Sequence, residues 1–342
     1  MEAASEFLSC DWGTTSFRLR HVRGVEREIA REISESAGVK SLYEEATRLG
    51  AETESARAKV FSEFLRAKLE KLFANKEPSK PPLPLVISGM ASSSIGWREL
   101  PYARTPFPLD GRWLVSEQVE WNKPEWIGPT HLISGLATDQ DIMRGEESEI
   151  IGLLNQPSLA PVRERCLLIL PGTHSKHVLI ENHAIVNWRT FMTGELFELL
   201  GRQSILRASI EPDARHIRTP FSESERSAFL EGLQQAHQDG LAGTLFRVRT
   251  RALLDRHPSR ENTCFLSGVL IGAELMNVTK TSDDHAIVLA ATRALAEPYA
   301  LALQAIAGIA GDTWRCIHVE PERIAYATVA AHALFLRTHP TS

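Results

Sequence analysis

A chain of 342 residues, 43% hydrophobic and 24% charged, is long enough for two domains or one large one, and its composition excludes disordered, collagen-like and disulfide-scaffold classes. Thirty-eight Lys and Arg against 43 Asp and Glu leave a formal net charge of -5, which argues against a nucleic-acid protein because phosphate backbones select strongly basic faces. The first eight residues carry Glu2 and Glu6 with no apolar leader, and the most apolar runs are strand-sized, so the expectation is a cytoplasmic protein without a membrane partner. Cys10, Cys166, Cys264 and Cys316 lie far apart with no CxxC pair, and read as small buried hydrophobes in a reducing compartment.

In chain order, Phe7 to Cys10 is a short apolar strand that runs through Asp11-Trp12-Gly13-Thr14-Thr15-Ser16 and resumes as Phe17 to Val22, a hairpin. Val60, Phe61, Phe64, Leu65, Leu69 and Leu72 recur at helical spacing over Ser55 to Leu72, and the four prolines from Asn75 to Pro84 break that pattern into a linker. Leu85 to Ser88 reads as a buried strand ending in the small, hydroxyl-rich run Gly89-Met90-Ala91-Ser92-Ser93-Ser94. From Pro101 to Pro129, with Trp113, Trp121 and Trp126, the chain reads as irregular; Gly145 to Asn155 then reads as a helix that Pro157 ends. Cys166 to Leu170 and His177 to Ile180 flank Pro171-Gly172-Thr173-His174-Ser175-Lys176 as a second hairpin, and Ala184 to Phe191 adds a strand feeding a helix through Leu200. Ser222 and Glu225 form a capping box for a helix to about Asp239. Phe265 to Glu274 reads as a helix whose glycines permit close packing; a strand at Ile287 to Leu289 and helices at Tyr299 to Ala307 and Ile324 to Leu336 complete the chain.

A shift of 159 positions places Gly13 on Gly172, Thr14 on Thr173 and Ser16 on Ser175, with apolar strands on either side of each turn. A turn of Gly, Thr and Ser offers N–H groups and hydroxyls to an anion, and glycine lets a phosphate approach the main chain. Two such turns could grip one polyphosphate, with Lys176 as a point cation; equally, each could be an ordinary hairpin turn whose hydroxyls satisfy local backbone. Only the first copy carries a carboxylate. Asp11 could hold Mg²⁺ through water, since that ion keeps most of its hydration shell. His174 and His177 have no third ligand at zinc spacing.

The DWGTTS segment resembles the first phosphate motif of the hexokinase, actin and Hsp70 superfamily of ATP-handling proteins. GMASSSIGW at Gly89 to Trp97, DIMRGEES at Asp141 to Ser148, PGTHSK at Pro171 to Lys176, FMTGELF at Phe191 to Phe197 and LSGVLIGAE at Leu266 to Glu274 are similar, in order, to the 2-dehydro-3-deoxygalactonokinase family. The resemblance implies an α/β, two-lobed actin-like ATPase (ribonuclease H-like) fold with ATP in the cleft. Residues 1–155 would form the first lobe and 156–342 the second, with the last helix able to cross back. It also implies transfer of the ATP γ-phosphoryl group to the 6-hydroxyl of a 2-keto-3-deoxy sugar acid, a small-molecule partner, and leaves a homodimer open. Another sugar kinase of this fold, or a non-catalytic ATP-dependent sensor, are the alternatives. By position, Asp11, Gly13, Thr14 and Thr15 fall on the first phosphate turn, and Gly172, Thr173, His174, Ser175 and Lys176 on the second. The chain departs from the pattern where a glycine-containing adenine turn is expected: Ala290-Ala291-Thr292-Arg293 stands there, and Pro298 is expected to interrupt the following helix.

Such kinases place a carboxylate near a helix start before the second phosphate turn to orient the attacking hydroxyl and take its proton. Glu146 and Asp141 both fit that role, while Glu147 and Glu149 read as helix-start carboxylates favoured by the macrodipole. The substrate carboxylate would suit the backbone and hydroxyls of Gly89, Met90, Ser92 and Ser93, or the cation of Arg144. Trp97 and Tyr102 could pack on the sugar face or belong to the core.

Overall fold

The computed structural model describes residues 6–339 apart from 25, 75–81, 113, 213–218, 277, 279–285 and 311–313. Most of the expected linker and Trp113 therefore lie outside the described residues. The chain divides into two units, Met1–Pro161 with Ala325–Ser342, and Val162–Ile324.

The first unit begins with strands β1 (Glu6–Trp12), β2 (Phe17–Arg23) and β3 (Glu28–Glu35), followed by helices α1 (Val39–Arg48) and α2 (Glu54–Phe73). Strand β4 (Leu83–Gly89), short strands β5 (Ala103–Arg104), β6 (Phe107–Pro108) and β7 (Ser116–Gln118), and β8 (Ile127–Ile133) follow; β9 (Leu136–Ala137), β10 (Ile142–Met143) and α3 (Glu146–Leu154) complete this stretch. Its main sheet has the order β3-β2-β1-β4-β8-β7, with β2 antiparallel to β1 and β4 parallel to it. One face of β1 is apolar, Leu8, Cys10 and Trp12 sharing a core with Phe61, Leu65 and Leu69 of α2, and the opposite face buries Phe7 and Ser9. Thr53 caps α2, its hydroxyl accepting from the Ala56 N–H at 3.2 Å.

The second unit holds β11 (Arg165–Leu170), β12 (Ser175–Glu181), β13 (Ala184–Phe191) and α4 (Thr193–Gln203), then α5 (Glu223–Leu245), α6 (Arg247–Leu253) and α7 (Ser259–Leu275). Strand β14 (Ala286–Leu289), α8 (Arg293–Ala310) and β15 (Cys316–His318) follow, and α9 (Pro321–Thr338) joins the first unit from Ala325 onward. The order β15-β14-β11-β12-β13, with β11 antiparallel to β12 and parallel to β14, repeats the β8-β4-β1-β2-β3 order and directions of the first unit. The repeat inferred from two turns is thus a repeat of whole sheets.

Several elements depart from the sequence reading. Strand β3 is mostly exposed and shows no apolar run; β5, β6 and β7 lie within the stretch that read as irregular, and β8 begins at its end. Helix α8 continues through Pro298, which sits in its second turn at the cost of one backbone hydrogen bond, so the expected interruption does not occur. The capping box is present: the Ser222 N–H donates to Glu225 Oε2 at 2.7 Å and the Glu225 N–H to Ser222 Oγ at 3.3 Å. All four cysteines are free thiols, three of them buried.

Helices α5 and α7 meet through glycine. A Cβ on Gly268 would overlap the Phe229 carbonyl, and one on Gly232 the Phe265 carbonyl. Gly268→Ala is therefore expected to destabilise the protein by about 1–3 kcal/mol, the usual cost of overpacking, read as a lower melting temperature; an unchanged melt would refute this packing.

On α9, His332 is fully buried, with Nδ1 2.8 Å from Ser9 Oγ. Burial, then the Arg20 charge, lower its imidazole to about 3 from an ordinary 6.5. The unfolded chain therefore binds one more proton between those values, and stability falls as pH drops from 6.5 towards 3, by roughly 1.4 kcal/mol per unit. Denaturant unfolding of a His332→Gln variant is expected to lose that acid-side slope.

Candidate active site

Strands β1 and β4 run side by side with Asp11 opposite Ser88 and Trp12 opposite Gly89, so the first turn and the serine-rich strand end emerge at one edge of the sheet. Gly89 has φ +95°, and a Cβ there would sit 2.6 Å from the Trp12 carbonyl oxygen. Gly145, at φ +112° just before α3, packs against the Gly89 Cα, so two glycines bring the α3 start onto the β4 end. The structure thus gathers Asp11, Gly89 and Glu146, residues far apart in sequence.

The Asp11 side chain is 30% exposed and lies 3.8 Å from Arg18 Nη1. Burial raises its carboxyl above the ordinary value, Arg18 and Arg20 pull it back, and the Glu146 charge adds to the rise. Glu146 accepts the Arg144 N–H at 3.1 Å. Glu149 is raised to about 8 by burial, then by the charges of Asp11 and Glu146. Asp141 stands at the tip of the β9–β10 hairpin, accepting the Ile142 N–H at 2.8 Å, while its own N–H donates to Thr138 Oγ1 at 2.8 Å.

Glu147 stands in the first turn of α3, where a helix-start carboxylate was expected. It is fully buried, accepts the Gly145 N–H at 2.6 Å and the Ser148 hydroxyl at 3.2 Å, and is raised to about 8 by burial and then by Glu146. Its folded value exceeds the unfolded 4.5, so its contribution is present below pH 4.5 and is lost as pH rises through 8. Glu147→Gln is expected to remove one proton from that decline, about 1.4 kcal/mol per pH unit between 4.5 and 8. Identical pH slopes for variant and parent would refute it.

The serine-rich loop is held by two guanidiniums. Arg57, from α2, donates to the Gly96 carbonyl at 3.1 Å, the Ser94 carbonyl at 2.9 Å and the Glu52 carbonyl at 3.2 Å. Arg144 donates to the Ser92 carbonyl, to Ser92 Oγ at 2.8 Å and to the Leu100 carbonyl at 3.1 Å, and its guanidinium lies 4.1 Å from the Tyr102 ring centre. Both arginines are buried, and neither pairs with a carboxylate among the described residues. Arg144 Nε is buried without a hydrogen-bond partner among the described residues. Ser92 Oγ donates to the Ile133 carbonyl at 2.7 Å and Ser93 Oγ to the Met90 carbonyl at 2.7 Å, so both hydroxyls shape the loop. Trp97 is 3% exposed and meets Trp121 edge-on at 5.7 Å, which gives its ring to the core. Tyr102 and Met90 remain half-buried.

Both Gly-Thr turns rest on the helix that follows the third strand of their unit. The Gly13 N–H closes on the Ser16 carbonyl at 2.9 Å, and the Val39 and Lys40 N–H groups donate to the Gly13 and Thr14 carbonyls at 3.0 Å. In the second unit the Glu195 N–H donates to the Thr173 carbonyl at 3.0 Å, and His174 Nε2 lies 2.7 Å from Glu195 Oε2. A Cβ on Gly38 would overlap the Thr14 carbonyl, and one on Gly194 would meet the Gly172 carbonyl at 2.5 Å. Thr14, Thr15, Thr173 and His174 are exposed at the turn tips, whereas Ser175 and Lys176 are buried. Lys176 Nζ donates to the His174 carbonyl at 3.3 Å, within its own turn.

Beside the second turn lies a pocket of about 390 Å³ with Gly172, Thr173, Phe197, Ile271, Leu295 and Tyr299 in its wall. Ala290 is not part of that wall: it is buried, and its N–H donates to the Ile169 carbonyl at 2.9 Å, extending the β14–β11 ladder. The wall is reached a few residues later, at Thr292, Ala294 and Leu295. Arg57, Gly38, Thr193 and Tyr299 escaped the sequence reading; FMTGELF held Thr193, but nothing in composition marked Arg57.

A duplicated β-β-β-α-β unit with a Gly-Thr turn in each copy and a half-buried carboxylate pair beside the first defines a kinase-type member of the actin-like ATPase fold. The 2-keto-3-deoxy-galactonokinase family model matches residues 11–315. The 2-dehydro-3-deoxygalactonokinase of Escherichia coli (strain K12) is 31% identical over 90% of this chain and 94% of its own. The Probable 2-dehydro-3-deoxygalactonokinase DgoK1 of Rhizobium meliloti (strain 1021) is 29% identical over 80% of this chain and 81% of its own. A Sinorhizobium meliloti crystal structure assigned by name to the same enzyme superposes with a TM-score of 0.75 at 25% identity, covering 98% of this chain and 100% of that one. The chain belongs to the 2-keto-3-deoxy-galactonokinase family and is a sugar kinase, a phosphotransferase with an alcohol group as acceptor. Among the described residues no helix is long and apolar enough to cross a membrane.

Proposed function

We propose that the protein transfers the γ-phosphoryl group of ATP to the 6-hydroxyl of 2-dehydro-3-deoxy-D-galactonate, giving the 6-phosphate and ADP. The observation that carries the acidic substrate is the pair of buried guanidiniums, Arg57 and Arg144, on one loop without a carboxylate partner among the described residues. A buried cation lacking a counter-ion is costly, and an incoming sugar-acid carboxylate would offset that cost. Gly89, Met90, Ser92, Ser93, Tyr102 and Arg144 would form the surroundings of the substrate.

Glu146 is the proposed base, with Asp141 as the other candidate. Phosphoryl transfer asks mostly for positioning and charge stabilisation, so the base has to lie beside the hydroxyl rather than be strong. Gly13, Thr14 and Thr15, and Gly172, Thr173 and His174, would hold phosphate oxygens. The apolar pocket beside Gly172 suits a purine base.

No group of three potential metal-ligating side chains occurs among the described residues. Mg²⁺ needs no such group, because it keeps several waters and takes one or two carboxylates plus substrate phosphates. The half-exposed Asp11, with Glu146 near enough to act on its charge, fits that demand. Bound there, the ion would neutralise charge on the phosphates.

A coupled ADP-release assay with the galactonate-, gluconate- and arabinonate-derived 2-keto-3-deoxy acids tests the reading. Turnover is expected with the galactonate-derived acid and Mg²⁺. Absence of turnover with all three, while ATP binds, would overturn it.

A further inference from the structure

We propose that Glu274 is a positioning residue for the second phosphate turn, acting through a one-directional chain of hydrogen bonds that ends at the Gly172 amide. The inference rests on the reading of Gly172 to Lys176 as a phosphate turn.

Glu274 lies near the C-terminal end of α7 and is 3% exposed. Three groups from three other elements converge on its carboxylate: the Tyr299 hydroxyl of α8 at 2.7 Å, the Thr193 hydroxyl at the start of α4, and His177 Nε2 of β12 at 2.8 Å. A carboxylate accepts, so the Tyr299 proton points at Glu274. Burial, and then the Glu274 charge, raise the Tyr299 phenol well above its ordinary value, so it keeps that proton.

The rest of the chain follows from hydrogen counting. With its proton committed, the Tyr299 oxygen is left to accept from Ser175 Oγ, 3.0 Å away. Ser175 Oγ then has only lone pairs to offer the Gly172 N–H, which donates to it at 3.3 Å. Direction therefore runs from Gly172 through Ser175 and Tyr299 to Glu274. Sequence reading placed Ser175 among the groups facing an anion; the structure spends its hydroxyl beneath the turn.

The first turn has a different closure. There the Gly13 N–H bonds to the Ser16 backbone carbonyl at 2.9 Å, and Ser16 is exposed. The second turn is closed by side chains instead, and two members of the network, Thr193 and Tyr299, also line the 390 Å³ pocket. Glu274 thereby fixes the wall of the pocket and the turn beside it with one carboxylate. Misplacement of reacting groups by about 1 Å costs on the order of 10²-fold in rate.

The test compares Tyr299→Phe, Glu274→Gln, Thr193→Val and Thr193→Ser with Thr173→Ala, a direct change at the turn tip. Each is assayed for ADP release, with folding checked by circular dichroism and melting. Tyr299→Phe, which keeps the ring, is expected to lower kcat or raise the KM for ATP by about tenfold or more, with the KM for the sugar acid within twofold of the parent. Thr193→Val should behave likewise and Thr193→Ser should recover, because the hydroxyl and not the methyl is used. Parent-like ATP kinetics for folded Tyr299→Phe and Glu274→Gln, with Thr173→Ala impaired, would overturn the role of Glu274. Parent-like kinetics for Thr173→Ala as well would overturn the phosphate-turn reading beneath it.

Discussion

Replacing Glu146 by Gln is expected to lower kcat by about 10²- to 10⁴-fold, the range that a positioned general base supplies, while both substrates still bind. The amide keeps the shape of the side chain and can still accept the Arg144 N–H through its oxygen, so the α3 start should hold. What disappears is the proton acceptor and the negative charge that now acts on Asp11 and Glu149. Steady-state kinetics with ATP and sugar acid each varied separate the outcomes. A fall in kcat with little change in either KM identifies Glu146 as the base. The same fall in Asp141→Asn, with Glu146→Gln near parent activity, would transfer the role to Asp141. Its side chain is held by the hairpin tip, so Asp141→Asn is expected to cost less than tenfold.

The fold was legible where burial imposes a pattern. Strands β1, β4 and β11 are covered on both faces and read as apolar runs, and the Gly-Thr turns stood out because each lies between two such strands. Strand β3 was hidden because its residues alternate between exposed and half-buried positions, with no apolar face to betray it. Helix α1 is only ten residues long, and its apolar stripe of Val39, Leu42 and Ala46, spaced i, i+3 and i+7, went unread. At the site, glycines were legible as motif letters but not as contacts: that Gly145 lies on Gly89 is a fact of tertiary packing between residues 56 apart. Arg57 shows the limit most clearly. It sits on the buried face of an amphipathic helix, where its charge looks like a break in the pattern, and only the loop carbonyls it meets reveal its use. Ala290 is buried and its N–H carries the β14–β11 ladder one residue past β14, so on this side the pocket wall begins at Thr292.

Arg144→Met is expected to raise the KM for the sugar acid by about 10- to 150-fold, the equivalent of the 1.5–3 kcal/mol carried by a hydrogen bond to a charged group. The thioether matches much of the arginine stem and keeps apolar contact with Tyr102, but it removes the cation and the donors to Ser92 and Leu100. Arg144→Lys is expected not to recover the parent KM, since an ammonium on a flexible stem does not reproduce a planar fork that spans the Ser92 and Leu100 carbonyls. The KM for ATP serves as the internal control, because the pocket proposed for the nucleotide is lined by residues of the other unit of the chain. Selectivity provides the sharper reading: the ratio of kcat/KM for the sugar acid over that for the corresponding neutral, carboxyl-reduced sugar should fall in Arg144→Met by the same factor as the KM rises. A general collapse of the loop would lower both values together and leave their ratio unchanged. That outcome, in a variant that melts as a folded protein, would remove Arg144 from recognition of the carboxylate and leave Arg57 as the remaining buried cation of the loop.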